Sequence, residues 1–306
     1  MNEHRCSCVR THQLEFDAQT AFENLSHKHR ELSELVTRYM SEAGLDRPTR
    51  NLNASAMAAH LERIVGGHPT QDHPECCLIG HRSGGTRLSW FCTGVLIHPR
   101  VVLTAGHCNF PPAPAINVVA LNVNSQDDLS NAKIVSVRRR FVHPGYVSTR
   151  QFNDITALIL RSDATIAPVP VATAAEMNAA DETTLVGFGN SDFNSTIGFG
   201  LKRQVSVPIT FIRRTPADDL SHAESELGFE SDLEFVAGGG GRDSCNGDSG
   251  GPAYIIVNGV KKLAGLTSRA TDSATHPCGD AGIYTRVDAN MGFVREVALS
   301  QGIHLP

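Results

Sequence analysis

Residues 245–252 read Cys-Asn-Gly-Asp-Ser-Gly-Gly-Pro, a serine set among glycines, and the reading of the chain turns on what that setting is good for. Glycines on either side of Ser249 let the backbone turn sharply and expose the hydroxyl. They also let the N–H groups of Gly247 and Ser249 converge on one point, where an oxyanion can be held. A serine is a poor nucleophile at its free pKa, so a base must lie within hydrogen-bond reach and a third group must orient that base. Upstream, Thr104-Ala105-Gly106-His107-Cys108 follows the apolar run Val101 to Leu103, which places His107 at a strand end beside a cysteine able to pin its loop. Asn153-Asp154-Ile155 opens another apolar run and sets a carboxylate at a strand edge, where it can be buried against an imidazole N–H. Ser249 is thus the candidate nucleophile, His107 its base and Asp154 the group that orients the base.

These motifs lie in a region of one character. From Ile64 onward, short β-branched runs are cut by Gly, Pro and Asn: Gly94 to Ile97, Val101 to Thr104, Ile116 to Val123, Lys133 to Val142 and Ile155 to Leu160. A second set follows at Thr184 to Phe188, Arg203 to Ile209, Tyr254 to Val257, Lys262 to Thr267 and Gly282 to Val287. Such punctuation is all-β, and two sets of strands point to two barrels. At the end, Asp288 is placed to cap a helix carrying Phe293, Val294, Val297 and Ala298 at helical spacing. Before Ile64 the pattern differs. Leu14, Ala18, Ala21, Leu25, Leu32, Leu35 and Tyr39 form one apolar stripe of an amphipathic helix over 13–41, which Gly44 and Pro48 stop. A polar, Ala-rich linker then leads to a domain boundary between residues 1–63 and 64–306.

Composition removes several function classes. With a net charge of -5 and 19% charged residues, the chain shows no basic stripe for nucleic acid and no polybasic segment for a membrane surface. No stretch approaches the roughly 18 apolar residues of a membrane span. Eight cysteines without a Cys-x-x-Cys pair read as a disulfide framework made in an oxidising compartment, which implies export. Yet Met1 to Gln13 is polar throughout and lacks the apolar core of a secretory signal. A trimmed or misassigned start reconciles the two better than another export route or reduced cysteines.

A Gly-x-Ser-x-Gly run alone is a weak signal, because serines in glycine-rich loops are mostly structural. Here Ile64-Val65-Gly66-Gly67, Thr104 to Cys108, Asp154-Ile155 and Gly247 to Pro252 stand together, with the triad in the order His, Asp, Ser. In this the chain resembles the trypsin/chymotrypsin family of serine proteases, from Ile64 to about the carboxyl end. The resemblance implies two six-stranded antiparallel Greek-key β-barrels with a C-terminal helix, preceded by a partly helical propeptide. It implies an endopeptidase in which Ser249 attacks the scissile carbonyl, His107 takes and returns the proton, and Asp154 stabilises the imidazolium.

The same resemblance assigns finer roles. Asp243, six residues before Ser249, stands where trypsin-like members carry the carboxylate of the primary pocket, implying cleavage after Arg or Lys. Ala270 and Gly282 align with the pocket walls, and Ser268 to Ala270 with the edge strand that pairs with substrate backbone. Arg269 departs from the pattern, replacing a usual Trp, and Phe188 replaces another. Arg63 precedes Ile64, so cleavage between them is expected to free an ammonium that pairs with Asp248 and orders the oxyanion loop. The disulfides implied are Cys92 with Cys108 and Cys245 with Cys278. For Cys6, Cys8, Cys76 and Cys77, a propeptide tether, a vicinal bond and free thiols stay open. We expect no metal and no cofactor, protein or peptide substrates, proteinaceous inhibitors as further partners, a monomer, and a secreted or periplasmic location. The rivals are a catalytically silent binding protein on the same fold and a protease of altered preference, for instance one whose Arg269 folds over Asp243.

Overall fold

A computed structural model describes residues 66–108 and 110–306. Arg63, Ile64, the helix expected over 13–41 and the pair Cys6 and Cys8 lie outside the described residues.

The two sets of β-branched runs form two closed barrels. After a two-residue strand β1 (His68–Pro69), the first barrel comprises β2 (Cys76–Ser83), β3 (Arg87–His98), β4 (Val101–Thr104), β5 (Ile116–Leu121), β6 (Lys133–Val142) and β7 (Thr156–Leu160). They close in the order β2-β3-β4-β7-β6-β5, all antiparallel. β4 pairs with β7 rather than β5, the crossing that makes a Greek key. The second barrel comprises β8 (Glu182–Gly187), β9 (Arg203–Phe211), β10 (Glu234–Ala237), β11 (Pro252–Val257), β12 (Val260–Ala270) and β13 (Gly282–Arg286). Its order is β8-β9-β10-β13-β12-β11, with β11 returning to β8 and β1 added to the flank of β9.

Sequence alternation explains which strands sit where. β9 alternates buried and more exposed positions, so one face packs inward with Val205, Val207 and Ile209 and the other meets solvent. β4 and β7 are buried at every residue because both their faces are covered. Val102 and Leu158 join one cluster with Ile79, Leu96 and Val119. Val101, Leu103, Ala157 and Ile159 join another that takes in Phe188 and Tyr254 of the second barrel and Val294 of the terminal helix. That second cluster joins the barrels, and full burial of Val294 alone contributes about 1.5–3 kcal/mol.

Helix α1 (Ala174–Ala179) starts on a capping box formed by Thr173 and Glu176. Helix α2 (Ala217–Leu227) ends on the left-handed Gly228. The terminal helix α3 (Val287–Ser300) begins differently from expectation: its N-cap is Arg286, and Asp288 lies in the first turn. Arg286 Nε and Nη2 donate to the Asp288 carboxylate at 3.1 and 2.7 Å, so Asp288 is held by a side chain and leaves the cap unfilled.

Cys92 is bonded to Cys108 and Cys245 to Cys278. Cys76 and Cys77 are free thiols with no exposed surface, on opposite faces of β2 in different clusters. Of the three alternatives open for these two cysteines, free thiols is the one observed.

Candidate active site

The first barrel carries the candidate base and the carboxylate expected to orient it. His107 follows the end of β4 and Asp154 precedes the start of β7; these strands are paired, with Thr104 opposite Thr156. Asp154 is fully buried, and its carboxylate accepts three hydrogen bonds. They come from His107 N at 2.8 Å, His107 Nδ1 at 2.7 Å and Ser268 Oγ at 2.7 Å. A carboxylate oxygen accepts, so Nδ1 carries a proton in this bond, and in the neutral imidazole the lone pair is then left on Nε2. That is the tautomer a general base requires.

The second barrel delivers the serine on the loop between β10 and β11. This loop docks on β3 and on the end of β4, the strand that leads to the histidine. Thr93 N donates to Ser249 O at 3.0 Å, and Thr93 Oγ1 donates to Gly247 O at 2.8 Å. Gly250 has φ +76, and a Cβ there would lie 2.2 Å from Thr104 Oγ1 and 2.4 Å from Ala105 N, two residues before His107. Only glycine permits that approach. The sulfur of Cys108, next to His107, lies 3.7 Å from Ser249 O. The N–H groups of Asp248 and Gly250 are used by Cys245 O and Thr267 O, whereas those of Gly247 and Ser249 have no acceptor among the described residues. Gly247 adopts φ +99, the left-handed conformation that turns its amide.

Asp243, Ser244, Ser249, Ser268, Ala270 and Gly282 line one small cavity of about 40 Å³. Asp243 is 2% exposed, with its Oδ1 accepting from Ser244 N at 2.7 Å and Tyr284 Oη at 3.0 Å. Burial pushes its carboxyl up to about 6 despite those donors. A Cβ on Gly282 would sit 2.9 Å from Asp243 Oδ1, so glycine keeps that oxygen open. Arg269 lines the same cavity but forms no ion pair with Asp243 among the described residues. Its guanidinium makes a two-pronged pair with Glu234, at 2.5 and 2.9 Å.

Asp248 points the other way, into a cradle where a Cβ on Gly187 or Gly189 would overlap its carboxylate. It accepts from Gly189 N at 2.7 Å and Cys245 N at 2.8 Å. Burial raises it to about 7; the Arg203 charge opposes that rise and Asp243 adds to it. Ile64, its expected partner, lies outside the described residues. Thr93, Arg203, Glu234 and Tyr284 belong to this site without having been singled out in the sequence. Only Glu234 carried a signal: a carboxylate opening the apolar run Glu-Phe-Val-Ala must find a partner once that strand is buried.

An imidazole held by a buried carboxylate on one barrel, with a glycine-flanked serine on a loop of the other barrel that docks beside it, is the equipment of a serine-type endopeptidase. Comparison with known proteins leads to the same class. The trypsin family model matches residues 64–294, and the chain belongs to the trypsin family. It is 33% identical to a trypsin of Saccharopolyspora erythraea over 74% of this chain and 94% of that one. It is 32% identical to a tryptase of Mus musculus, over 76% of this chain and 88% of the relative, and 32% identical to trypsin-1 of Gadus morhua, over 79% and 93%.

Proposed function

We propose that this endopeptidase cleaves proteins on the carboxyl side of Arg or Lys and is made as a proenzyme activated between Arg63 and Ile64. One observation carries the preference: a carboxylate 2% exposed lines the cavity beside Ser249 and forms no ion pair among the described residues. A substrate cation there gains a buried charge partner, and truncating one partner of such a pair costs about 2–5 kcal/mol, roughly thirtyfold to several thousandfold in discrimination. In the reaction Ser249 attacks the carbonyl as His107 Nε2 takes its proton. The Gly247 and Ser249 amides receive the oxyanion, and His107 returns the proton to the leaving amine while Asp154 holds the imidazolium.

Activation follows the same electrostatic logic. The Asp248 carboxylate is buried in a glycine cradle, and a new Ile64 ammonium is the charge that makes its ionised form favourable there. Because the bond after Arg63 suits the pocket, the enzyme activates itself. Residues 1–63 are then a propeptide. The two disulfides flanking the cleft fit an exported, monomeric enzyme open to proteinaceous inhibitors.

Profiling cleavage of a mixed peptide library with activated protein tests the preference. Cuts should follow Arg and Lys, disappear in Ser249→Ala, and lose their basic preference in Asp243→Ser; dominant cleavage after apolar residues would refute it, and no cleavage would favour the silent binding protein. For activation, Arg63→Gln should remain inactive on storage, and activation at the parent rate would exclude this bond as the switch.

A further inference from the structure

We propose that Arg269 and Glu234 act as a positioning pair for catalysis, supporting Ser268 and balancing charge behind the Asp154–His107 couple. The inference rests on the reading of His107 as the general base.

Arg269 lies at the end of β12, next to Ser268, and Glu234 opens β10 across β13 from it. Arg269 Nη1 donates to Glu234 Oε1 at 2.5 Å and to Ser268 Oγ at 3.4 Å; Nη2 donates to Glu234 Oε2 at 2.9 Å and to Gly228 O at 2.8 Å. The guanidinium carbon lies 5.6 Å from the centroid of the Phe152 ring, two residues before Asp154. The Glu234 side chain has no exposed surface and that of Arg269 is 15% exposed, so solvent screens neither well.

Ser268 has one hydroxyl proton, and it goes to Asp154 Oδ2 at 2.7 Å. The lone pairs of the same oxygen face Arg269. A continuous path therefore runs Glu234, Arg269, Ser268, Asp154, His107, across both barrels. The charged and titratable groups that act on Asp154 are Tyr146, from the loop beside Gly106, and the Arg269–Glu234 pair from β12 and β10; Asp243 and Asp248 lie on the serine loop. Within that set the pair is neutral as a unit. Loss of Glu234 alone leaves a buried cation next to Ser268, which opposes formation of the imidazolium and favours the neutral base. Loss of Arg269 alone is answered locally, because burial already pushes Glu234 toward its protonated form and the Asp154 charge acts in the same sense.

The test is the pH dependence of kcat/KM in activated parent, Glu234→Gln, Glu234→Met, Arg269→Met and the double Glu234→Met/Arg269→Met protein. The acid limb should move down by about half a pH unit at low salt in both Glu234 variants. It should stay with the parent in Arg269→Met, whose kcat falls, and return to the parent position in the double variant. The double variant also keeps the experiment decisive if a single variant folds poorly, since replacing both members of a buried pair with apolar groups is commonly tolerated. A limb unmoved in every folded Glu234 variant, or displaced equally in the double variant, would overturn the inference. A parent inactive at all pH values, or active without Ser249, would instead overturn the reading of the site.

Discussion

The histidine side and the serine side of the cleft treat buried carboxylates in opposite ways. On the histidine side, Asp154 is fully buried and its charge is met inside the fold, by two donors from His107 and one from Ser268. On the serine side, Asp243 and Asp248 are buried as deeply and also accept backbone donors, yet burial still pushes them up to about 6 and about 7. The first arrangement needs nothing further. The second leaves room for a cation brought from elsewhere, which the proposed function supplies as a substrate side chain for Asp243 and a new amino terminus for Asp248. On that proposal, specificity and activation are one physical problem, the supply of a positive charge to a prepared carboxylate.

This contrast can be attacked from either side, and the histidine side offers the largest effect. Asp154→Asn should leave the fold intact while kcat falls roughly 10⁴-fold, because the amide allows the wrong imidazole tautomer. A fall of less than tenfold would show that the base is oriented by something else. On the serine side, Asp243 binds a cation only when ionised. Benzamidine affinity for activated protein should therefore be flat above about pH 7 and fall roughly tenfold per unit below about 6.

The stability linkage has a definite sign. The folded carboxyl titrates above its ordinary value of 3.8, so the stability it contributes is present below that value and is lost as pH rises through about 6. A bound cation offsets that loss, so the benzamidine-induced rise in Tm should be larger at pH 8 than at pH 5. Equal rises would mean Asp243 is ionised throughout that range. The smallest effect concerns the junction. Thr93→Val removes the hydroxyl that donates to Gly247 O and accepts from Phe188 N, and should cost about 1–3 kcal/mol in urea unfolding. Its kcat/KM should fall severalfold as the serine loop loosens, and unchanged kinetics would mean the backbone bond to Ser249 O suffices.

What could be read without coordinates follows from where each signal is stored. The candidate triad could be picked out because each member sits in a short run whose glycines, cysteines and neighbouring strand constrain it locally. Most strands were legible because Val, Ile and Thr cluster in them. β2, by contrast, begins Cys-Cys-Leu-Ile-Gly, and β10 is four residues opened by a glutamate. Both are strands because neighbours on two sides pair with them, a non-local cause. Helix α2 stayed hidden because its stripe is weak and polar, with Ala223 its buried residue. Thr93, Arg203 and Tyr284 do their work across the junction between elements far apart in sequence, and nothing beside them in the chain records that.

The two thiols sealed inside β2 give the fold a built-in clock. Neither Cys76 nor Cys77 reaches solvent, and burial raises both above the range in which a thiolate forms readily. An alkylating reagent can modify Cys77 only when the first barrel opens, and Cys76 only when the cluster joining the barrels opens. The rate at which mass accumulates on the peptide containing residues 76 and 77 therefore reports how often the junction and the first barrel come apart under native conditions, one alkylation for each thiol.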